Sequence, residues 1–191
     1  YRLIESDDKL SSEGIKKGLR DELKDIDVIV FDEIDSTNTE AKRRLYSENV
    51  KDFTVIVSDM QKGGRGRTGK TFESPRGSGI YFSIILHPED YFDFSYFDLI
   101  TVKAAVSVAE GIKNATGKQA EIKWVNDLFM KGKKICGILS ELDADFESRK
   151  VNSVIVGIGI NVNEPEDDSF KDLKDIAGYI DTDTIRNEIL S

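Results

Sequence analysis

The chain has 191 residues, which suits one domain or one domain with a fragment of a second. Its hydrophobic content of 39% is enough for a core, and its formal net charge of -9 argues against non-specific attraction to nucleic acid, which requires a basic surface. The single cysteine, Cys136, excludes an intrachain disulfide and a cysteine-based zinc site. We find neither a signal peptide nor an apolar run of transmembrane length, so we expect a cytoplasmic protein with no membrane partner.

The N-terminal half predicts two helices and three strands. Ser12 is placed to cap a first helix, because apolar residues follow it at helical spacing. These apolar residues are Ile15, Leu19 and Leu23. A second helix begins near Ser36, with Thr37 and Glu40 at capping-box spacing. The predicted strands are residues 28–31, 54–57 and 79–86.

The C-terminal half predicts a long helix at residues 99–116 and a further helix that begins near Thr182. Further strands are predicted at residues 121–124, 128–130, 134–142 and 151–162. Gly132 indicates a tight hairpin turn, and the polar, acidic segment 164–174 is predicted to be a mobile loop. Because adjacent hairpins mix with helical connections, the pattern predicts an α+β fold with a mixed, largely antiparallel sheet and flanking helices.

The glycine-rich loop at residues 63–69 matches two phosphate-binding patterns, the P-loop and the dinucleotide fingerprint. Both require a helix that starts at the loop. The following segment, 72–79, contains a proline and two glycines and leads into a strand, which disfavours both patterns. The run from Lys62 to Lys70 nevertheless carries four positive charges and no negative one, and its arginines suit a carboxylate or phosphate. The alternative is a solvated surface loop.

Four sequence blocks together resemble the biotin–protein ligase family. They are Asp35-Ser36-Thr37-Asn38, Gly63-Gly64-Arg65-Gly66-Arg67-Thr68-Gly69, Lys123-Trp124-Val125-Asn126-Asp127-Leu128 and Gly157-Ile158-Gly159-Ile160-Asn161-Val162. The blocks occur in the family's order between residues 28 and 162; Val125 departs from it, since the family usually has proline there. The resemblance implies the catalytic-domain fold shared with lipoate–protein ligases and related to class II aminoacyl-tRNA synthetases.

The resemblance also implies a reaction in two steps with biotin and ATP as substrates and Mg²⁺ as cofactor. Biotin and ATP form biotinoyl-5′-AMP, and a lysine of a biotin carboxyl carrier protein then accepts the biotin. The catalytic residues it implies are Lys123, Arg65 and Arg67. Contacts to biotin are expected from Ser36, Thr37, Asn38, Gln61, Gly64, Arg65, Gly66, Arg67 and Lys123, and contacts to the nucleotide from Phe72, Asn126 and Asn161. The metal ligands are unknown.

The ends of the chain are also interpreted through the resemblance. Residues 1–8 are expected to be the stub of an N-terminal winged-helix domain or linker. We expect DNA to be bound only through that domain, which this chain does not contain. Residues 9–191 are expected to be the catalytic domain, ending before a C-terminal SH3-like domain. A lipoate or octanoate ligase of the same fold and a biotin-sensing transcriptional repressor with secondary ligase activity are the alternatives. A homodimer is left open.

Overall fold

The computed structural model describes residues 8–47, 49–88, 97–145 and 150–191. The helices in these ranges are α1 (Ser12–Gly18), α2 (Thr37–Ser47), α3 (Phe97–Thr116), α4 (Lys171–Ile176) and α5 (Arg186–Leu190). The strands are β1 (Val28–Phe31), β2 (Thr54–Ser58), β3 (Gly79–Leu86), β4 (Glu121–Lys123), β5 (Asp127–Met130), β6 (Lys133–Asp145) and β7 (Lys150–Asn161). Residues 1–7 of the predicted N-terminal stub lie outside the described residues.

The described strands form one seven-stranded sheet in the order β1-β2-β3-β7-β6-β5-β4. Strands β1 and β2 are parallel, and every other neighbouring pair is antiparallel. The predicted mixed, largely antiparallel sheet is therefore confirmed. Lys131 and Gly132 both have positive φ in the two-residue turn between β5 and β6, as a type I′ turn requires, which confirms the predicted hairpin.

Helix α2 packs on one face of the sheet and α3 on the other. On the α2 face, Ala41 packs with Ile56, Ile85 and Ile155 in a small buried cluster. The main core includes Ala105 and Ile112 of α3 together with alternate residues of the central strands. Because β3 and β7 are buried on both faces, their sequences are nearly continuous apolar runs. No helix in the described ranges is long and apolar enough to cross a membrane.

The first helix is shorter than its apolar spacing predicts. Ser11, not Ser12, is the N-cap, and its hydroxyl accepts the N–H of Gly14 at 3.0 Å. Leu19 is extended, with φ -67° and ψ 147°, and Leu23 belongs to a separate 3₁₀ turn. A Cβ on Gly14 would lie 2.7 Å from Asn187 Nδ2, so α5 can approach α1 closely only because residue 14 is glycine. Glycine has a low helix propensity and therefore also weakens α1.

The C-terminal segment also differs from the prediction. Residues 164–174 are not simply a mobile loop, because Asp167 accepts the N–H of Ser169 at 2.8 Å and starts a 3₁₀ turn that leads into α4. The last helix begins at Arg186 rather than near Thr182. The hydroxyl of Thr182 instead accepts the N–H of Thr184 at 3.2 Å, and such a local side-chain bond to the backbone competes with helix formation.

Candidate active site

A cavity lies on the α2 face of the sheet, between the start of α2, the glycine-rich loop and the middle of β6 and β7. The loop folds back on itself, because Gly66 N–H donates to Lys70 O at 2.7 Å and Phe72 N–H donates to Gly64 O at 2.9 Å. No helix lies between Gly69 and β3, so the exclusion of the P-loop and dinucleotide patterns is confirmed. The cavity is therefore not built around a helix that begins at this loop.

Glycines of β6 and β7 form the floor of the cavity. A Cβ on Gly159 would lie 2.7 Å from Cζ of Phe72, and a Cβ on Gly137 would lie 3.1 Å from Cε2 of the same ring. A Cβ on Gly157 would lie 2.7 Å from Cγ of Asn38. The bare backbone at these positions thus lets Phe72 and Asn38 approach the sheet closely.

Polar side chains form one end of the cavity. Thr37 donates its backbone N–H to Gln61 Oε1 at 2.9 Å and its hydroxyl to the same oxygen at 3.2 Å. Ser83, fully buried on β3, donates its single hydroxyl proton to Asn38 Oδ1 at 2.6 Å, and its Oγ lies 2.8 Å from Thr37 Oγ1. The predicted capping box between Thr37 and Glu40 is absent. The hydroxyl of Thr37 bonds Gln61, and the carboxylate of Glu40 forms ion pairs with two arginines of α2.

Glu141, on β6, joins three elements around the cavity. Its Oε2 accepts from Asn38 Nδ2 at 2.8 Å and from Arg65 at 2.9 Å, and its Oε1 accepts from Lys42 Nζ at 2.7 Å. Burial alone would raise the pKa of this carboxyl, but the hydrogen bonds from Lys42 and Asn38 and the charge of Arg65 outweigh it and lower the pKa. Glu141 is therefore ionised at neutral pH and can only accept hydrogen bonds.

The cations around the cavity differ in how far they are neutralised. Arg65 is paired with Glu141, and Lys134 is paired with Asp127 at 2.7 Å. Among the described residues, the side chain of Arg67 bonds only the neutral amide oxygen of Asn126, at 3.1 Å. Lys123 lies 4.9 Å from the ring centroid of Phe129 and, among the described residues, has no carboxylate within salt-bridge distance. Arg67 and Lys123 thus keep uncompensated charge.

Most of the sequence-predicted site residues lie together. Those that line the cavity are Ser36, Thr37, Asn38, Gln61, Arg65, Gly66, Arg67, Phe72 and Asn126. Gly64 lies at the base of the loop, and Asn161 is buried and donates to Gly178 O at 3.2 Å. Lys123 does not line the cavity. It is the cross-strand neighbour of Asp127 on β5, and Asp127 is the cross-strand neighbour of Gly137 in the floor of the cavity. The Lys123 side chain therefore projects from the face of the sheet on which the cavity lies. The roles of all these residues remain predictions.

Sequence reasoning missed Lys134, which lines the cavity, and Ser83 and Glu141, which bond to Asn38 of its lining. Ser83, Lys134 and Glu141 lie in strands whose registers decide which face each residue takes. The signal for the floor was available, because Gly157 and Gly159 alternate in an otherwise apolar strand, and an isolated strand glycine often marks close backbone approach. No comparable local signal distinguished Glu141 from the other acidic residues of the chain.

Two further features of the site are the segment after β4, which contains Val125, and the acidic groups that a metal ion would need. The peptide bond between Trp124 and Val125 is cis, and Trp124 is 78% exposed. Asn126 donates to Asp127 Oδ1 at 3.0 Å and to Ile138 O at 3.2 Å, which ties this segment to β6. Within the described ranges, no group of three or more His, Cys, Asp or Glu residues could hold a metal ion.

The fold corresponds to that of a biotin protein ligase catalytic domain. The structure of biotin protein ligase from Aquifex aeolicus in complex with biotin and ATP has a TM-score of 0.65 and 34% sequence identity. The match covers 86% of this chain and 67% of that chain. The α+β fold expected from the sequence is confirmed by this likeness and by the sheet topology.

The chain belongs to the Biotin/lipoate A/B protein ligase family, whose model matches residues 30–161. It is 44% identical over 177 residues to the bifunctional ligase/repressor BirA of Bacillus spizizenii, covering 93% of this chain and 53% of that protein. It is 39% identical over 119 residues to biotin–protein ligase 2 of Arabidopsis thaliana, covering 59% of this chain and 34% of that protein. The chain thus spans about half the length of the BirA relatives that it matches.

Proposed function

We propose that the chain is the catalytic core of a biotin–protein ligase. In the first step, a carboxylate oxygen of biotin attacks the α-phosphorus of ATP, and pyrophosphate leaves. In the second step, the ε-amine of a carrier-protein lysine attacks the acyl carbon, AMP leaves, and the amine loses a proton. The observation that carries the proposal is a cavity with a polar end suited to a small ring and a loop whose arginines suit anions.

The cavity offers a distinct environment to each part of the substrates. Ser36, Thr37 and Asn38 would bind the ureido ring of biotin, and Gln61 adds a further amide. Arg67, which pairs with no carboxylate in the part of the chain that the structure describes, would attract the biotin carboxylate and the phosphates. Lys123 would stabilise the charge that develops on their oxygens. Closure of the loop would keep water from the activated acyl group.

The nucleotide would lie near Phe72 and Asn161. Phe72 already packs on the glycine floor, so its ring is available as an apolar wall for the adenylate. Mg²⁺ would bind together with the phosphates of ATP, whose oxygens are the kind of ligand that it prefers. Asn126, whose amide oxygen accepts a hydrogen bond from Arg67, would contact the nucleotide beside that arginine.

The alternatives expected from the sequence make separate predictions. A lipoate or octanoate ligase would share the fold, and the family model covers both classes. The arginine-bearing loop and the relatives named as biotin ligases favour biotin. A repressor role of the kind named for BirA would require DNA binding and remains a prediction. The cytoplasmic location, the homodimer and the carrier protein as partner remain predictions.

The direct test is to mix the protein with Mg²⁺-ATP, biotin and a purified biotin carboxyl carrier domain. We expect biotin-dependent release of pyrophosphate, together with a carrier mass increased by one biotinoyl group. Replacing biotin by lipoate should abolish both signals. A carrier domain whose acceptor lysine is changed to arginine is the control, because it should allow pyrophosphate release without a mass change. Lipoate-dependent release without biotin-dependent release would select the alternative ligase.

Substitution of Gly157 by alanine tests the floor of the cavity. The new Cβ would lie 2.7 Å from Cγ of Asn38, whose amide is held by hydrogen bonds and cannot withdraw freely. We expect the Kd for biotin, measured by calorimetry, to rise at least tenfold, or about 1.4 kcal/mol. Gly111→Ala on α3 is the matched control, because a Cβ there meets nothing within 4 Å. Unchanged biotin affinity in Gly157→Ala would contradict the proposed subsite.

A further inference from the structure

Asn38 lies at the centre of the polar end of the cavity, and all but one of its hydrogen-bonding positions are already used. Its Nδ2 donates to Leu139 O at 3.3 Å and to Glu141 Oε2 at 2.8 Å. Its Oδ1 accepts from the hydroxyl of Ser83 at 2.6 Å. An amide has two N–H donors and two acceptor lone pairs, so only one lone pair of Oδ1 remains for a ligand.

The orientation of this amide is imposed by its surroundings. If the amide were reversed, its carbonyl oxygen would face the carboxylate of Glu141 and the carbonyl of Leu139, which are both acceptors. Glu141 remains an acceptor at neutral pH, because its neighbours lower the pKa of its carboxyl. A reversed amide would therefore lose its bonds to Glu141 and Leu139 and leave buried acceptors facing one another.

The backbone holds Asn38 in this position. Ser83, Gly157 and Leu139 are direct cross-strand neighbours on β3, β7 and β6. The Asn38 amide lies above Gly157, where a Cβ would collide with it, and is bonded to Ser83 on one side and Leu139 on the other. Asn38 is only 4% exposed, so water cannot replace these partners easily.

We propose that Glu141 and Ser83 are positioning residues that fix the amide of Asn38 so that this subsite accepts an N–H of the ligand's cyclic urea. The inference rests on the proposed function, because it assigns the polarity of the biotin subsite. Gln61 complements this polarity: its Oε1 accepts from Thr37, and its Nε2 donates to Ser74 at 2.8 Å, which leaves one N–H for a ligand acceptor. A urea presents both an N–H donor and a carbonyl acceptor.

The test reverses the donor and acceptor across the Asn38–Glu141 bond. Asn38→Asp keeps the size of the side chain but places a carboxylate oxygen against Glu141, so we expect the Kd for biotin to rise at least 100-fold in calorimetry. The double variant Asn38→Asp/Glu141→Gln restores a donor toward the new carboxylate and should recover at least tenfold of that loss. At saturating biotin, kcat for pyrophosphate release should change less than KM, because Glu141 acts on binding of the ring.

Asp143→Asn is the matched control for Glu141→Gln, because it removes the same charge two residues along β6 on the same face. Adding Asp143→Asn to Asn38→Asp should recover nothing. Equal recovery by both second substitutions, or none by Glu141→Gln in a folded protein, would overturn the inference. If the unsubstituted chain itself fails to bind biotin, the proposed function fails instead.

Ser83→Ala provides a second test if Asn38→Asp does not fold. Loss of the Ser83 hydroxyl removes the donor to Asn38 Oδ1 and should raise the Kd for biotin three- to tenfold. On the ligand side, the two cyclic carbamate analogues of biotin each replace one urea N–H by oxygen. At least one should bind the unsubstituted protein 30-fold more weakly than biotin, because its ring oxygen would face the carbonyl of Asn38. If neither analogue binds more than threefold more weakly than biotin, Asn38 does not accept a hydrogen bond from an N–H of the ligand.

Discussion

Replacing Lys123 by alanine is expected to lower kcat for biotin-dependent pyrophosphate release by roughly 10²–10³-fold, as removal of one group that stabilises transition-state charge commonly does. The reaction brings the biotin carboxylate close to the phosphates of ATP, so it needs positive charge that no protein carboxylate already neutralises. Arg65 and Lys134 are paired with Glu141 and Asp127, respectively. Lys123 has no such partner among the described residues.

Lys123 does not line the cavity, and this position makes the prediction informative. Its strand is at the edge of the sheet, and its side chain projects from the face on which the cavity lies. The contact with Phe129 is an exposed cation–π interaction of about 0.5–1 kcal/mol, which a bound carboxylate and phosphate could replace. Catalysis by Lys123 would thus require only that its flexible side chain turn toward the cavity.

Lys113→Ala is the control for Lys123→Ala, because Lys113 is an exposed lysine near the end of α3, on the opposite face of the sheet. It should retain full activity. Calorimetric unfolding should show the same midpoint for both variants as for the parent protein. Near-normal turnover in a folded Lys123→Ala protein would show that the catalytic assignment is wrong. The activity of Lys134→Ala would then show whether Lys134, which lines the cavity, supplies the positive charge instead.

Substitution of Arg186 by alanine should have the largest effect on stability. The Arg186 side chain is 5% exposed and donates to Asp8 Oδ2 at 2.8 Å, Asp59 Oδ1 at 2.5 Å and Gly79 O at 3.0 Å. Removing one partner of a buried ion pair leaves its carboxylates uncompensated and typically costs about 3–5 kcal/mol. Because Asp8 is partly exposed, we expect the free energy of unfolding to fall by about 3 kcal/mol, the low end of that range.

Urea denaturation followed by circular dichroism measures this loss. Adding Asp59→Asn to Arg186→Ala should recover part of it, because the second substitution removes one of the unpaired charges. Arg20→Ala is the surface control: its ion pair with Glu22 is 3.6 Å long and exposed, so its removal should cost less than about 0.5 kcal/mol. Equal losses in Arg186→Ala and Arg20→Ala would mean that the buried network does not stabilise the fold.

The same network connects the two ends of the described chain to the sheet. Asp8 accepts from both the backbone and the side chain of Arg186, and Arg186 also bonds Gly79 at the start of β3. On the other side of Asp59, Arg76 links to Glu33, which pairs with Lys62 just before the glycine-rich loop. Loss of Arg186 is therefore expected to affect the packing of both termini.

Sequence patterns alone predicted the strands, the helices α2 and α3 and most of the residues that line the cavity. Short runs of apolar residues between turn signals predicted all seven strands. The glycine-rich loop, the start of α2 and Asn126 were identified from sequence blocks, and these segments do converge on one cavity. The first helix was predicted too long, because apolar spacing did not anticipate the close packing of α1 against α5. The segment 164–174 was predicted to be a loop from its polar composition, whereas a local cap at Asp167 starts a 3₁₀ turn that leads into α4.

Only the tertiary structure decided how the polar groups of the cavity are oriented. Asn38 and Glu141 are 103 residues apart in sequence, and Arg65 and Glu141 are 76 apart, so no local pattern links them. The registers of β3, β7 and β6 bring Ser83, Gly157 and Leu139 side by side and thereby determine which atoms of Asn38 are free. The sequence by itself determined the family and most of the residues that line the cavity. Which of their atoms can donate or accept a hydrogen bond, and which charges are paired, followed from contacts between distant strands.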